Sequence, residues 1–200
     1  MQRNYPMEKT RTIPRDHLDR LALRMRRGDR NAAAELYDEL MPKVYGFFFA
    51  RLGRKEVSED LCQEIFVKLI LKIKSFDKEK GKFTVWFWQV VRRHLIDHYR
   101  QKQETPFSSF EEADVEAMAV TNGADFHARF AYRELREFLQ TLQDEERELF
   151  EMRFVAEIPY REIAAMTGKQ ESTLRVAALR VKEKIKKQYI ENHGSSFRSS

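Results

Sequence analysis

His94, Asp97 and His98 stand at i, i+3 and i+4, a spacing that on a helix would place two imidazoles and a carboxylate on one face, as a zinc site requires. The set stops at three ligands, on a segment otherwise given to cations, and no separate acid or base constellation accompanies it. We therefore expect no metal, no cofactor and no catalytic residue. A different chemistry is written twice along the chain. Between Lys78 and Lys102 there are seven basic residues (Lys78, Lys80, Lys82, Arg92, Arg93, Arg100, Lys102) against two acids, Glu79 and Asp97. Between Gly168 and Ile190 there are again seven (Lys169, Arg175, Arg180, Lys182, Lys184, Lys186, Lys187) against Glu171 and Glu183. Lysine and arginine contacts to phosphate supply most sequence-independent affinity for DNA, so two such segments suggest two nucleic-acid contacts. A solvated charged face is the plain alternative for either one alone.

Each basic segment carries a further feature suited to reading bases. The first opens on Phe83, Trp86, Phe87 and Trp88, and four aromatics cannot all be buried by one helical stripe. Exposed rings offer stacking surfaces to unpaired bases. Trp86 and Phe87 read as core, and Trp88, with Lys80, Lys82, Arg92 and Arg93, as the residue facing a strand. The second segment, Ile158 to Lys182 (IPYREIAAMTGKQESTLRVAALRVK), reads as a helix-turn-helix. Pro159 starts its first helix, Ile163, Ala164 and Met166 line the inner face, and Gly168 permits the turn. On the second helix Leu174, Ala178, Val181 and Ile185 form the buried stripe. Ser172, Val176, Leu179, Arg180 and Glu183 then lie opposite, with Lys169, Thr173 and Arg175 beside them. Arginine there can meet guanine or phosphate, and Val176 or Leu179 a thymine methyl. An ordinary helical hairpin is the alternative.

A third group is acidic. Asp60 and Glu64 are like charges at i and i+4, which costs a free helix a few tenths of a kcal/mol, on the order of 0.2–0.5. With Gln63 they form an outer face that calls for a basic partner, unless it is simply solvated.

The elements that must position these groups are helical. Seven Gly, five Pro and 34% charged residues, with no run of short alternating strands, point to an all-α chain. A first helix runs from near Pro14 to Gly28 on Leu18, Leu21, Ala22 and Met25. A second follows Asp29, carries Ala33, Leu36, Leu40, Val44, Phe47 and Phe48, holds Pro42 as a possible kink, and ends near Gly53. Ser58 is the expected N-cap of a third, buried through Leu61, Ile65, Phe66, Leu69 and Ile73. The polar loop Asp77 to Lys82 leads into a fourth from about Thr84 to Lys102. Gln103 to Asp125 breaks the pattern, with Pro, Ser, Asn, Gly, several acids and no basic residue. Periodicity resumes at Leu135, Phe138, Leu139 and Leu142, and a further helix follows Asp144 with Leu149 and Met152 inside. The expected organisation is an extension (1–14), a four-helix domain (15–102), a flexible acidic linker (103–125), a smaller helix-turn-helix domain (126–190) and a disordered tail (191–200).

Among 200 residues with 37 basic and 32 acidic side chains, the +5 charge is a weak signal by itself, and its placement carries the argument. The single cysteine, Cys62, cannot close an intramolecular disulfide, so nothing demands an oxidising compartment. With no apolar leader and no stretch approaching ~18 uninterrupted apolar residues, a cytoplasmic site and no membrane insertion are expected.

The ordered motifs resemble the extracytoplasmic-function (ECF) group of the sigma-70 family of RNA polymerase sigma factors. Ser58 to Asp77 and Phe83 to Lys102 resemble its region 2, through the E-D-L-x-Q-E-x-F of Glu59 to Phe66, the F-x-x-W of Phe83 to Trp86 and the I-D-H-x-R of Ile96 to Arg100. Leu135 to Lys187 looks like region 4, including the Y-x-E-I-A of Tyr160 to Ala164. The resemblance implies that Asp60, Gln63 and Glu64 dock on the clamp helices of the largest core polymerase subunit. It implies that the loop Asp77 to Lys82 and the following helix capture a base of the minus-ten element, and that the helix-turn-helix reads the minus-thirty-five element. It further implies an anti-sigma factor as partner, and a linker whose acids Glu104, Glu111, Glu112, Asp114 and Glu116 run through a channel of the polymerase. The chain departs from the family pattern at Lys169, where an apolar residue is usual, and at Ala177 and Ala178, in place of a basic and a large apolar residue. Those changes leave the fold untouched and the minus-thirty-five sequence open. Two rival readings are a stand-alone helix-turn-helix regulator, which gives no reason for the acidic face, and a sigma-like partner-switching adaptor, for which no receiver domain is present.

Overall fold

The computed structural model of the protein describes residues 15–102 and 137–193, and among them every regular element is a helix. The expected extension, the linker with its acids, Leu135, and the last residues from 194 onward lie outside the described residues. The first half holds α1 (Arg15–Arg26), α2 (Arg30–Leu52), α3 (Lys55–Lys72) and α4 (Phe83–Lys102). Asp29 caps α2 by accepting from the backbone N–H groups of Asn31 and Ala32 at 3.0 and 3.1 Å, and Arg24 holds its other oxygen at 2.8 Å. Gly53 closes α2 in the left-handed conformation that favours glycine, its N–H returning to Phe49. Pro42 lies inside α2 on its exposed side, and the helix continues through it.

The cap expected at Ser58 is corrected by the structure. α3 begins at Lys55, and Ser58 is buried within its first turn, where its hydroxyl donates to the Arg54 carbonyl at 2.7 Å. A serine hydroxyl can serve the preceding turn as readily as a helix start, and local sequence does not separate the two. The core between α1 and α4 is aromatic: Phe47 and Phe48 of α2 meet Phe83, Phe87 and Trp88 of α4 over Ile65 and Leu69 of α3.

The second half comprises α5, described over 137–141, α6 (Asp144–Phe150), a π turn at Glu151–Val155, α7 (Tyr160–Thr167) and α8 (Glu171–His193). Phe138, Leu139, Leu142, Phe150 and Val181 pack together. The buried Arg147 ties α5 to α6, donating to the carbonyls of Leu139 and Leu142 at 2.8 and 3.0 Å. Those carbonyls lie at a helix end, where the Leu139 oxygen has only a long bond from the Leu142 N–H at 3.4 Å, and the buried guanidinium supplies further donors. The two halves touch: Leu149, Met152, Ile158 and Ile163 join the core built on α1–α4.

Candidate nucleic-acid and polymerase interfaces

The basic loop before α4 is held at both ends by α1. Arg26 donates to the Phe76 carbonyl at 3.0 Å, and Asp19 accepts the Phe83 backbone N–H at 2.9 Å. Asp19 is only 1% exposed and also faces the Lys82 ammonium at 3.2 Å. Its carboxylate thus caps the N-terminus of α4, where four N–H groups lack intrahelical acceptors and the helix dipole favours negative charge. Within the loop, Asp77 accepts from the Glu79 N–H at 3.1 Å and starts a single 3-10 turn, Lys78–Lys80. Lys78 and Lys80 are exposed, and Lys82 is exposed along its stem while its ammonium turns to Asp19. Beside them a groove of about 680 Å³ is lined by Phe76, Lys80, Trp86 and Gln89 on one wall and by Arg161 and Glu162 of α7 on the other.

The expected strand contact of Trp88 is corrected. Its ring is 2% exposed and meets Phe47 edge-on at 5.5 Å, inside the core. Phe87 is buried as expected, whereas Trp86 is only partly covered and lines the groove. Periodicity alone cannot tell which of adjacent aromatics a neighbouring helix will cover, and here α2 covers Trp88. Of the α4 cations, Arg93 and Arg100 are exposed. Arg92 is engaged, its Nε and Nη2 donating to Glu148 Oε1 of α6 at 2.8 and 2.6 Å.

The helix-turn-helix has the expected geometry. Gly168 takes φ +72 between α7 and α8, a conformation in which a Cβ would be strained. Leu174, Ala178 and Val181 are buried, Ile185 is partly so, and Ser172, Thr173, Arg175, Val176, Leu179 and Arg180 are exposed. Val176 and Leu179 are 49% and 62% exposed, so none of the described residues claims them as core. Two members of the expected set carry partners. Lys169 reaches Glu145 at 2.6 Å, and Arg175 pairs with Glu171 while its guanidinium lies 4.9 Å from the Tyr160 ring centroid. Glu171 and Tyr160 therefore hold Arg175 along the first turn of α8.

Asp60, Gln63 and Glu64 are exposed on the outer face of α3, continued by the exposed apolar Val67, Ile70 and Leu71. Beneath them His94 is buried, its Nδ1 2.6 Å from the Lys68 ammonium and its Nε2 3.1 Å from a Glu64 oxygen. Burial holds the ring below the ordinary histidine range and Lys68 adds to this, while Glu64 opposes it. A neutral ring accepting from Lys68 has given up the lone pair that a metal would need. Among the described residues no group of three or more His, Cys, Asp or Glu could hold an ion. Cys62 lies buried on the inner side of α3, and burial pushes its thiol up to about 12.

Sequence reasoning missed Asp19, Arg26, Arg51, Arg147, Glu148 and Glu151. Asp19 left a faint signal, an acid on the same helical stripe as Leu18, Ala22 and Met25. Arg26, Arg51, Glu148 and Glu151 are set by pairs far apart in the chain and leave none, and Arg147, whose partners Leu139, Leu142 and Asp144 are near in sequence, reads as one more charge on a surface helix.

The same arrangement occurs in proteins of known kind. Residues 36–105 match the family model described as Sigma-70 region 2, and residues 132–185 that of Sigma-70, region 4. The ECF RNA polymerase sigma factor SigW of Bacillus subtilis (strain 168) is 25% identical over 173 residues, covering 82% of this chain and 92% of SigW. SigM of the same organism, also an ECF RNA polymerase sigma factor, is 28% identical over 156 residues, covering 78% and 93%. Among solved structures the fold is shared with CnrH, determined in complex with the cytosolic domain of CnrY, at a TM-score of 0.61, 18% identity, and coverage of 88% of this chain and 97% of that one. It is shared too with the sigma factor RpoE, determined with the anti-sigma factor NepR from Bartonella quintana, at a TM-score of 0.58, 14% identity, and coverage of 77% and 94%. With both regions matched in order, and each set of helices placed as its motifs require, the chain belongs to the ECF group of the sigma-70 family of RNA polymerase sigma factors.

Proposed function

We propose that the protein is an initiation subunit of RNA polymerase, acting in the cytoplasm as a binding protein and not as an enzyme. Through Asp60, Gln63 and Glu64 it docks on the clamp helices of the largest core subunit. Through the loop Asp77 to Lys82, with Trp86, Arg92, Arg93 and Arg100, it engages the minus-ten element and favours strand opening. Through Lys169, Ser172, Thr173, Arg175, Val176, Leu179 and Arg180 it reads the minus-thirty-five element. The observation that carries the reading is that one chain presents three separate charged surfaces, two basic and one acidic: a basic loop pinned by α1, a basic helix α8 with exposed apolar residues, and an acidic helix face. A stand-alone regulator accounts for the second surface only. Phosphate contacts of the two basic surfaces supply affinity and register, and side chains at the start of α8 supply sequence discrimination.

Family membership and the CnrH and RpoE complexes support a protein antagonist of anti-sigma type as a further partner. Co-purification with core polymerase tests the polymerase face. The double variant Asp60→Lys, Glu64→Lys is expected to lose core binding at unchanged helical content by circular dichroism. Undiminished binding would remove the acidic face from the account. For the antagonist, affinity capture from the native cells is expected to recover a second, non-polymerase protein in stoichiometric amount, and recovery of polymerase alone would contradict it.

A further inference from the structure

The base of the loop between α3 and α4 is an aromatic clasp. The buried Phe76 meets the buried Phe83 edge-on with ring centroids 5.4 Å apart, and Trp86 lies 5.8 Å from each of them. Phe76 precedes the loop and Phe83 follows it, so the clasp sets where the chain leaves the core and where it returns. Between them the backbone is constrained again. Asp77 starts the 3-10 turn, and Gly81 closes it at φ +155 and ψ −176, a region almost shut to residues with a Cβ.

Two further constraints come from outside this segment, and both stand on α1. Arg26 donates to the Phe76 carbonyl at 3.0 Å from 50 residues away, and Asp19 accepts the Phe83 N–H at 2.9 Å from 64 residues away. Their spacing amounts to two helical turns, which puts both pins on one face of α1, roughly 10 Å apart. Asp19 is also a charged group where a cap requires none. Asparagine or serine would accept the Phe83 N–H without the cost of burying a charge. At 1% exposure, what singles out a carboxylate is its second partner, the Lys82 ammonium at 3.2 Å. The last cation of the loop is thereby turned back toward α1, while Lys78 and Lys80 stay exposed.

We propose that Asp19 and Arg26 are positioning residues for minus-ten recognition, which set base preference by pinning the two ends of the loop and the direction of Lys82. The inference rests on the assignment of that loop to the minus-ten element. Affinity and discrimination respond differently to such bracing. Attraction between lysine and phosphate falls only as the inverse of distance, whereas a hydrogen bond to a base edge weakens steeply once its length or angle is off. A loosened loop therefore keeps most of its affinity and loses selectivity.

The test uses the full chain assembled with core polymerase on a fragmented genomic template, with start sites mapped by sequencing. Arg26→Met keeps most of the stem and removes the guanidinium, and Asp19→Asn keeps an acceptor for Phe83 while removing the charge opposite Lys82. In each variant the ratio of best to next base at the most selective minus-ten position is expected to fall roughly fivefold or more, the lower end of what one base contact contributes. Preference at the minus-thirty-five element should stay within about twofold, since the start of α8 supplies it. Should one variant fail to fold by circular dichroism, the other carries the test. A merely structural role lowers transcription at all sites alike and leaves both preferences unmoved, and that result would overturn the proposal. Equal relaxation of the two elements would overturn it as well. Failure of the DNA reading looks different: the wild-type protein then yields no shared minus-ten element to relax.

Discussion

Replacing Asp19 by alanine should destabilise the protein through one identifiable set of contacts. The carboxylate is buried beneath the basic loop, accepts the Phe83 N–H at 2.9 Å and faces Lys82 at 3.2 Å. Alanine leaves the first turn of α4 without its acceptor, and loss of an N-terminal cap costs about 0.5–2 kcal/mol. The acceptor is charged and the site closed to water, which places the loss at the upper end, near the roughly 1.5–3 kcal/mol of hydrogen bonds to charged groups. The partly exposed Lys82 adds little, because an ion pair open to water on one side is worth about 0–1 kcal/mol. The expected loss is about 2 kcal/mol, or roughly 4–8 °C in Tm for a chain of this length. Asp19→Asn keeps one carbonyl acceptor and should recover about half. Urea unfolding followed by circular dichroism, with the slope checked for constancy, measures both. A loss below about 0.5 kcal/mol, or an asparagine variant no better than alanine, would refute the claim that Asp19 acts as the cap of α4.

Further outcomes follow from the same geometry. Arg175→Ala should cost about 1–3 kcal/mol of minus-thirty-five binding and relax preference at one or two base pairs, whereas Lys186→Ala with Lys187→Ala should weaken all duplexes alike and reduce the salt slope by roughly two. Salt titrations on matched and mismatched duplexes separate the two, and a uniform loss for Arg175→Ala would mean that α8 is misoriented. Cys62, buried and with its thiol pushed up to about 12, should resist alkylation at neutral pH until the chain unfolds, and rapid labelling of the native protein would contradict its placement. The stability of the fold should draw less from Glu151 as pH rises. Burial lifts the Glu151 carboxyl from 4.5 to about 8 in the folded chain, outweighing Arg51 from α2 and Arg147 from α6, with Glu148 and Asp144 adding to the rise. The folded chain therefore holds a proton that the unfolded, hydrated carboxyl releases, and this contribution is present in full below about 4.5 and is lost progressively up to about 8. Urea unfolding across that window should show Glu151→Gln losing less stability with rising pH than the wild type, and a variant that loses more would reverse the sign.

Much of the architecture could be read from residues whose effect is local. Asp29 before a periodic run, Gly53 after it, and Gly168 between two short apolar patterns each dictate a helix end through capping or a left-handed turn, and the helices start and stop there. The exposed face of α8 was legible because Val176 and Leu179 fall opposite a stripe of Leu174, Ala178 and Val181 that leaves no room for them inside. What failed were choices that depend on a second element. Ser58 has the chemistry of a cap but serves the turn before it, and Trp88 has the chemistry of a stacking residue but is covered by Phe47 of α2. Nothing local in the sequence marks Glu148, Glu151 and Glu157 as paired or buried. Only the folded chain brings Arg92, Arg51 and Lys43 to them.

The central claim is that this chain directs core polymerase to promoters, and transcription in vitro with purified core enzyme on a fragmented genomic template tests it most directly. Adding the protein should produce transcripts starting at a limited set of discrete sites, each preceded by a shared pair of sequence elements, and Asp60→Lys with Glu64→Lys should abolish them. Transcripts identical in number and position with and without the protein would contradict the account.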